Sequence, residues 1–338
     1  MTEAGDGGGA GRIVAIDVIK ATAIVAVAFT HAGFPSWDPR FTTWDRLLTG
    51  FWVQFHVPAF LMISGFLYQS SSAVPLLTVG RRLMRVLVPY LIASAVVQLG
   101  GFSTAKDFRD VVLQLLTASS LGIYYFIFLL VSFIPTIWPL SRLSSKATWV
   151  VFLGVLGATL GLEVYIQLRM HPDPDASLKV LFWVMRSPLN YSYAYFLAGW
   201  VAAQHYPGLR GFPMVRWRLL GSLCVLGIML WTAAHIWPEI WIAAGIVRFV
   251  YTMSVVVGLI LLSDRASEHR LVRFLSETTL GLYLYHHIFQ LLAERHVLSW
   301  PPLFRITVLA LGGLGAASLL CSLGRRLLGS RAKTLLGA

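Results

Sequence analysis

The stretch IDVIKATAIVAVAFTHAGF, residues 16–34, reads as one apolar helix carrying three ionisable side chains, Asp17, Lys20 and His31. Its length approaches the about 20 residues that a helix needs to cross a bilayer. A hydrocarbon interior tolerates ionisable groups poorly, so their presence marks either pairing inside a bundle or chemistry. Lys20 and His31 stand eleven residues apart. At about 100° per residue, eleven steps return to within roughly 20° of the start, so the two share a face, about 16 Å apart along the axis. A polar stripe of that kind has to face a bundle interior or a water-filled cavity.

Nine more apolar stretches follow. Together they predict spans near 13–33, 48–70, 84–103, 120–140, 147–168, 179–204, 216–236, 240–262, 272–293 and 303–323. The expected fold is all-α, a polytopic membrane bundle of about ten transmembrane helices. Composition agrees, because 57% of the 338 residues are hydrophobic and 12% are charged, against about 25% charged in soluble domains. The net charge of +12 suggests nucleic acid at first sight. The basic residues cluster in short loops between apolar spans, however, which is the pattern of membrane topology and argues against nucleic acid. With the N-terminus inside, sixteen Lys and Arg fall on the cytoplasmic side and eight on the other. Both termini are therefore expected in the cytoplasm and the protein in the cell membrane, crossing it many times. Residues 1–12 read as a flexible Gly-rich tail, 13–325 as a single transmembrane domain and 326–338 as a basic cytoplasmic tail. Cys224 and Cys321 lie alone in separate apolar segments, with neither metal spacing nor a disulfide framework.

Inside the predicted spans remain Asp17, Lys20, Glu163, Arg186, Arg248 and Glu277, with the imidazoles of His31, His56 and His286. Each formal charge costs on the order of 3 kcal/mol at the bilayer centre, so pairing across helices stands beside function as an explanation. Counting along each span places His31, His56, His286, Glu163, Arg186 and Arg248 in the outer half and Asp17, Lys20 and Glu277 in the inner half. Convergence of those faces would line a path through the membrane.

Local strings then become informative. Residues 16–34 are joined by FHVPAFLMISGFLY at 55–68, RRLMRVLVPY at 81–90 and ETTLGLYLYHHIF at 277–289. Together they resemble the acyltransferase family 3 membrane proteins, which include O-acetyltransferases of sugars and peptidoglycan and macrolide acyltransferases. The resemblance runs from about residue 12 to 325 and is strongest in segments 1 to 3 and 9. The family's basic residue, ten residues and His correspond to Lys20 and His31; many members carry Arg at the first position. Lys keeps the charge but loses the planar bidentate fork. The FH-x-P and SGF pattern corresponds to His56, Pro58, Ser64 and Gly65, and Tyr-Leu-x-His to Tyr283, Leu284 and His286. His287 projects about 100° away from His286 and ranks below it.

The resemblance implies transfer of an acyl group, by default acetyl, from cytoplasmic acyl-CoA to a hydroxyl of a sugar, glycan or glycosylated small molecule. Acyl-CoA (acetyl-CoA) acts as co-substrate, with no tightly bound cofactor and no metal. Such a transfer needs a base for the hydroxyl proton and donors for the developing oxyanion. His31 is the expected base; His286 and His56 would position substrates or polarise the carbonyl, with Tyr283 donating. Asp17 would orient Lys20, three residues on. Arg81, Arg82 and Arg85 could hold CoA phosphates or simply set topology. Arg186, Arg248 and Glu163 could meet an anionic or polar acceptor. Trp37, Trp44 and Tyr191 suit sugar stacking and an interfacial aromatic belt equally. Ser64 fits helix packing better than nucleophilic chemistry. A transporter or flippase for a polar lipid or glycoconjugate is the main rival, although the duplicated halves common in transporters are not visible. A zinc enzyme would need three separate helices, because no two histidines stand at i, i+4 in one span.

Overall fold

The computed structural model describes residues 13–32, 54–70, 72–169, 192–209, 214–236, 244–263 and 269–338. Among the described residues every regular element is a helix. In chain order α1 spans Val14–Ala32, α2 His56–Tyr68, α3 Leu76–Leu99 and α4 Phe108–Leu116. Within Gly122–Leu140 lie α5 (Tyr125–Phe133) and α6 (Ile137–Leu140), joined by a 3-10 turn that accommodates Pro135. Then come α7 (Ser145–Arg169), α8 (Ser192–Leu209), α9 (Met214–Ile236), α10 (Ala244–Ser263), α11 (Arg270–Glu277), α12 (Thr279–Val297), α13 (Pro302–Leu328) and α14 (Arg331–Leu335). Each of the ten predicted stretches contains a helix. Among the described residues six segments are long and apolar enough to cross a membrane: α1, α3, Gly122–Leu140, Ser145–Leu162, Ile246–Ser263 and α13. The apolar helix α2 and the apolar part of α9, Leu220–Ala233, are shorter. The protein is a multi-pass helical membrane protein. Its outward-facing apolar side chains, such as Leu223, Val225, Leu226 and Met229 on α9 and Leu311, Leu319 and Leu327 on α13, are suited to lipid contact.

Helix α1 occupies the middle of the bundle. It packs against α2, α10, α11, α12 and α13, and Ala21, Ala23, Ala26, Ala28 and Ala32 are all buried. Small side chains let neighbouring backbones come close where no hydrophobic force separates helix from lipid. Closer still is the crossing of α2 and α8. A Cβ on Gly65 would overlap the carbonyl of Phe196, and one on Gly199 would overlap the carbonyl of Met62. The Ser-Gly pair in α2 thus serves packing, with Ser64 Oγ donating to Phe60 O at 2.8 Å within its own helix.

Three features depart from the sequence expectation. The predicted span 272–293 is two helices, because α11 ends at Glu277 and α12 restarts at Thr279. Serine and threonine hydroxyls compete for backbone carbonyls, and here Thr278 and Thr279 donate to Phe274 O and Leu275 O at 2.7 Å each. Glu277 accordingly sits at a helix end and not within a span, paired with Arg273 at 2.9 Å and Arg325 at 3.4 Å. The stretch after α3, expected as loop, holds α4, capped by Asp107 accepting from Asp110 N at 2.8 Å. Finally, the basic tail folds back on the bundle. Ala332 and Ala338 are buried, and Gly281 N donates to Gly337 O at 3.1 Å.

Overfilling a tight helix crossing costs about 1–3 kcal/mol. Gly65→Ala and Gly199→Ala should each lower stability by about that amount, whereas Gly157→Ala, where a Cβ meets open space, should not. Thermal unfolding of the purified protein in detergent measures the difference.

Candidate active site

Helix α1 delivers His31 in its last turn, and α12 delivers His286 and His287 side by side. The ring centroids of His31 and His286 lie 5.6 Å apart, those of His31 and His287 5.4 Å, and those of His286 and His287 6.2 Å. His286 is fully buried, and its Nδ1 lies 2.9 Å from both Leu282 O and Tyr283 O. Carbonyl oxygens only accept, so Nδ1 carries the proton there and Nε2 is the ring's basic atom. That Nε2 is buried without a hydrogen-bond partner among the described residues. His56, buried at the start of α2, acts electrostatically on both His31 and His286.

Beside these rings lies a pocket of about 380 Å³. Its walls are His31 and Ala32 of α1, the turn at Gly122 and Ile123, Tyr125, Leu309, and the α12 residues His287, Gln290, Leu291 and Glu294. The α12 contribution follows i, i+3, i+4 and i+7, which is one helix face. His287 Nδ1 is 2.9 Å from Gln290 Oε1, and Gln290 Nε2 donates to Ala28 O at 2.9 Å. Ala28 belongs to the turn of α1 that carries His31, so one glutamine spans the two helices that form the site.

The other expected residues divide between the two ends of the bundle. Tyr283 donates its hydroxyl to Ile123 O, while Tyr124 donates to Leu284 O at 2.8 Å. This reciprocal exchange fastens the pocket wall to α12, and it commits the Tyr283 hydroxyl to the main chain in place of the carbonyl-polarising position expected for it. Asp17, at the far end of α1, accepts from Ser276 Oγ of α11 at 2.5 Å. Lys20 stands one turn further along the same uninterrupted helix, well away from the rings. Arg82 donates to Tyr68 O at 3.0 Å and lies 5.1 Å over the Tyr68 ring, with Arg81 and Arg85 exposed beside it. Tyr68 ends α2 and His56 begins it, so the arginines are about 18 Å from the imidazoles along that axis. No pocket-lining residue comes from the arginine end. Arg248 sits 5.8 Å over Trp231, which stacks on Tyr251 at 5.0 Å, and none of the three lines the pocket. The Glu163 side chain, Arg186, Trp37, Trp44 and Tyr191 lie outside the described residues.

The sequence pattern ranks His287 below His286 and leaves Gln290 and Glu294 without a role. The signal was present, since His287, Gln290 and Glu294 stand at i, i+3 and i+7 in an apolar helix. Arg305, counted as a loop charge, is buried in the first turn of α13, and its Nη1 lies 3.5 Å from Leu298 O. Among the described residues, no group of three or more His, Cys, Asp or Glu is arranged to hold a metal ion.

No curated protein and no solved structure matches the chain. A family model described as an acyltransferase domain, that of acyltransferase family 3, matches residues 13–323. That match takes in the Lys20–His31 helix, the paired glycine crossing, both halves of the α11–α12 segment and every wall of the pocket. The chain thus belongs to acyltransferase family 3 and is a membrane acyltransferase.

Proposed function

We propose that the protein moves an acyl group, by default acetyl, from cytoplasmic acyl-CoA to a hydroxyl of a sugar, glycan or glycosylated small molecule, with His31 as general base. The observation that carries this reading is the placement of His31 on the wall of a pocket large enough for a hydroxyl-bearing group, 5.4–5.6 Å from two further imidazoles. Histidine titrates near neutrality and can take the hydroxyl proton as the oxygen attacks the thioester carbonyl. His286 and His56 are both buried and do not line the pocket.

Ten spans with both termini in the cytoplasm complete the arrangement. In that orientation the pocket belongs to the outer half, with the acceptor, and the arginine end to the inner half, with the nucleotide. Arg81 and Arg85 are exposed in the second and third turns of α3, and Arg82 is braced by Tyr68. Guanidinium groups suit phosphate by forming charge-assisted, bidentate bonds. Lys20 lies toward the arginine end on the His31 face and would meet a polar part of the donor arm.

Two measurements test the assignment on the full-length protein in lipid nanodiscs supplied with radiolabelled acetyl-CoA and a methyl glycoside. His31→Gln should lower turnover by about 10²-fold or more with unfolding temperature unchanged; undiminished turnover, or none in the wild type, would overturn the reading. Replacing Arg81 and Arg85 together with Gln should raise KM for acetyl-CoA about tenfold, as loss of roughly 1.4 kcal/mol of phosphate contact requires, and leave kcat nearly unchanged.

A further inference from the structure

Helix α12 presents two imidazoles to His31, and only one of them reaches the pocket. Ala28 O can only accept a hydrogen bond, so the Gln290 nitrogen must face it and the Gln290 oxygen must face His287. An amide orientation is normally ambiguous; here the carbonyl decides it. With Gln290 Oε1 as acceptor, His287 Nδ1 carries the proton, and the free lone pair of the neutral ring is on Nε2. His286 has the same tautomer but is fully buried and absent from the pocket wall, whereas His287 lines it.

We propose that His287 is the proton relay for His31, with Gln290 as the residue that positions its ring. The proposal rests on the acyl-transfer reading above and adds a residue to it. As the acceptor O–H bond breaks, His31 takes the proton; the oxygen bonds to the acyl carbon, and the C–S bond breaks with its electron pair leaving on the thiolate. The His31 imidazolium then passes its proton to Nε2 of His287, directly or across one water. Nδ1 stays bonded to Gln290, so His287 releases the proton from the same Nε2 to water in the pocket, beside Glu294. The titratable groups around this relay are His31 from α1, Tyr125 from α5, and His286 and Glu294 on its own helix, while His56 of α2 acts on His31 and His286.

The test uses the full-length protein in nanodiscs. His287→Gln should cut acetyl-CoA turnover by about 10²-fold and change the shape of the pH profile, making its rising limb less steep by one proton. Gln290→Leu, which frees the ring to change tautomer, should lose activity, and Gln290→Glu, which keeps an acceptor for Nδ1, should recover part of it. A purely structural role would scale the rate equally at every pH, and that result overturns the relay. Labelling by diethylpyrocarbonate, which attacks an unprotonated imidazole nitrogen, gives a second readout by peptide mass spectrometry. His287 should label at a rate comparable with His31 and ahead of His286; equal rates for His286 and His287 would overturn the assignment. If wild-type protein turned over no acetyl-CoA, the acyl-transfer reading would fail with the relay, and labelling would still decide whether His287 offers the free base of the pocket.

Discussion

Polar groups on α1 must find partners inside the protein, because lipid offers none. That constraint organises the bundle. At one end Asp17 is tied to Ser276 of α11; at the other the Ala28 carbonyl is tied to Gln290 of α12. Ala28 O lies beside the residue that faces the imidazoles, so the same contact that satisfies a backbone group also sets the distance between His31 and the α12 histidines. A helix rich in alanine is needed for this, since bulkier side chains would hold α11 to α13 too far off for short polar side chains to reach.

The break between α11 and α12 serves the same end. Thr278 and Thr279 turn the chain by capturing carbonyls of the preceding turn, and α11 swings its Ser276 toward α1 while its charged face stays outside with Glu277, Arg273 and Arg325. Exposed ion pairs of this sort contribute little stability. Their value is topological, keeping a cluster of charges at the end of α11, outside α12.

Much of this was legible in the residues. Apolar runs of the right length gave the helices, and the eleven-residue spacing in α1 put Lys20 and His31 on one face. The convergence of His31 with His286 followed from motifs in separate segments. What escaped notice escaped for identifiable reasons. Ser276, Thr278 and Thr279 read as tolerable members of a span, because hydropathy does not register their competition for backbone carbonyls. His287 was ranked below its neighbour on a helical-wheel argument that treats α12 as facing one partner. In the bundle α12 faces α1 on one side and the Gly122–Tyr125 turn on the other, so two faces about 100° apart both meet the site. Tyr283 was credited with chemistry, yet its hydroxyl is taken by Ile123 O, a partner 160 residues away that no local pattern reveals.

The two ends of the molecule impose a last requirement on the chemistry. The arginines of α3 and the imidazoles are separated by most of a helix, and a donor whose phosphates rest on one and whose thioester meets the other must be extended along α1 and α2. Lys20 stands toward the arginine end of that course, on the His31 face of α1. The pocket beside His31 opens at the opposite end, among Tyr125, His287 and Glu294, so donor and acceptor would approach the same base from opposite directions. A base in that position hands its proton to the acceptor side or the donor side. His286 stands with Nε2 buried and no hydrogen-bond partner among the described residues, whereas His287, on the pocket wall, has its tautomer fixed by Gln290 and Glu294 two turns further along the same helix face. On the proposed reading the arrangement favours discharge toward the pocket, where water can take up the proton released by the acceptor hydroxyl.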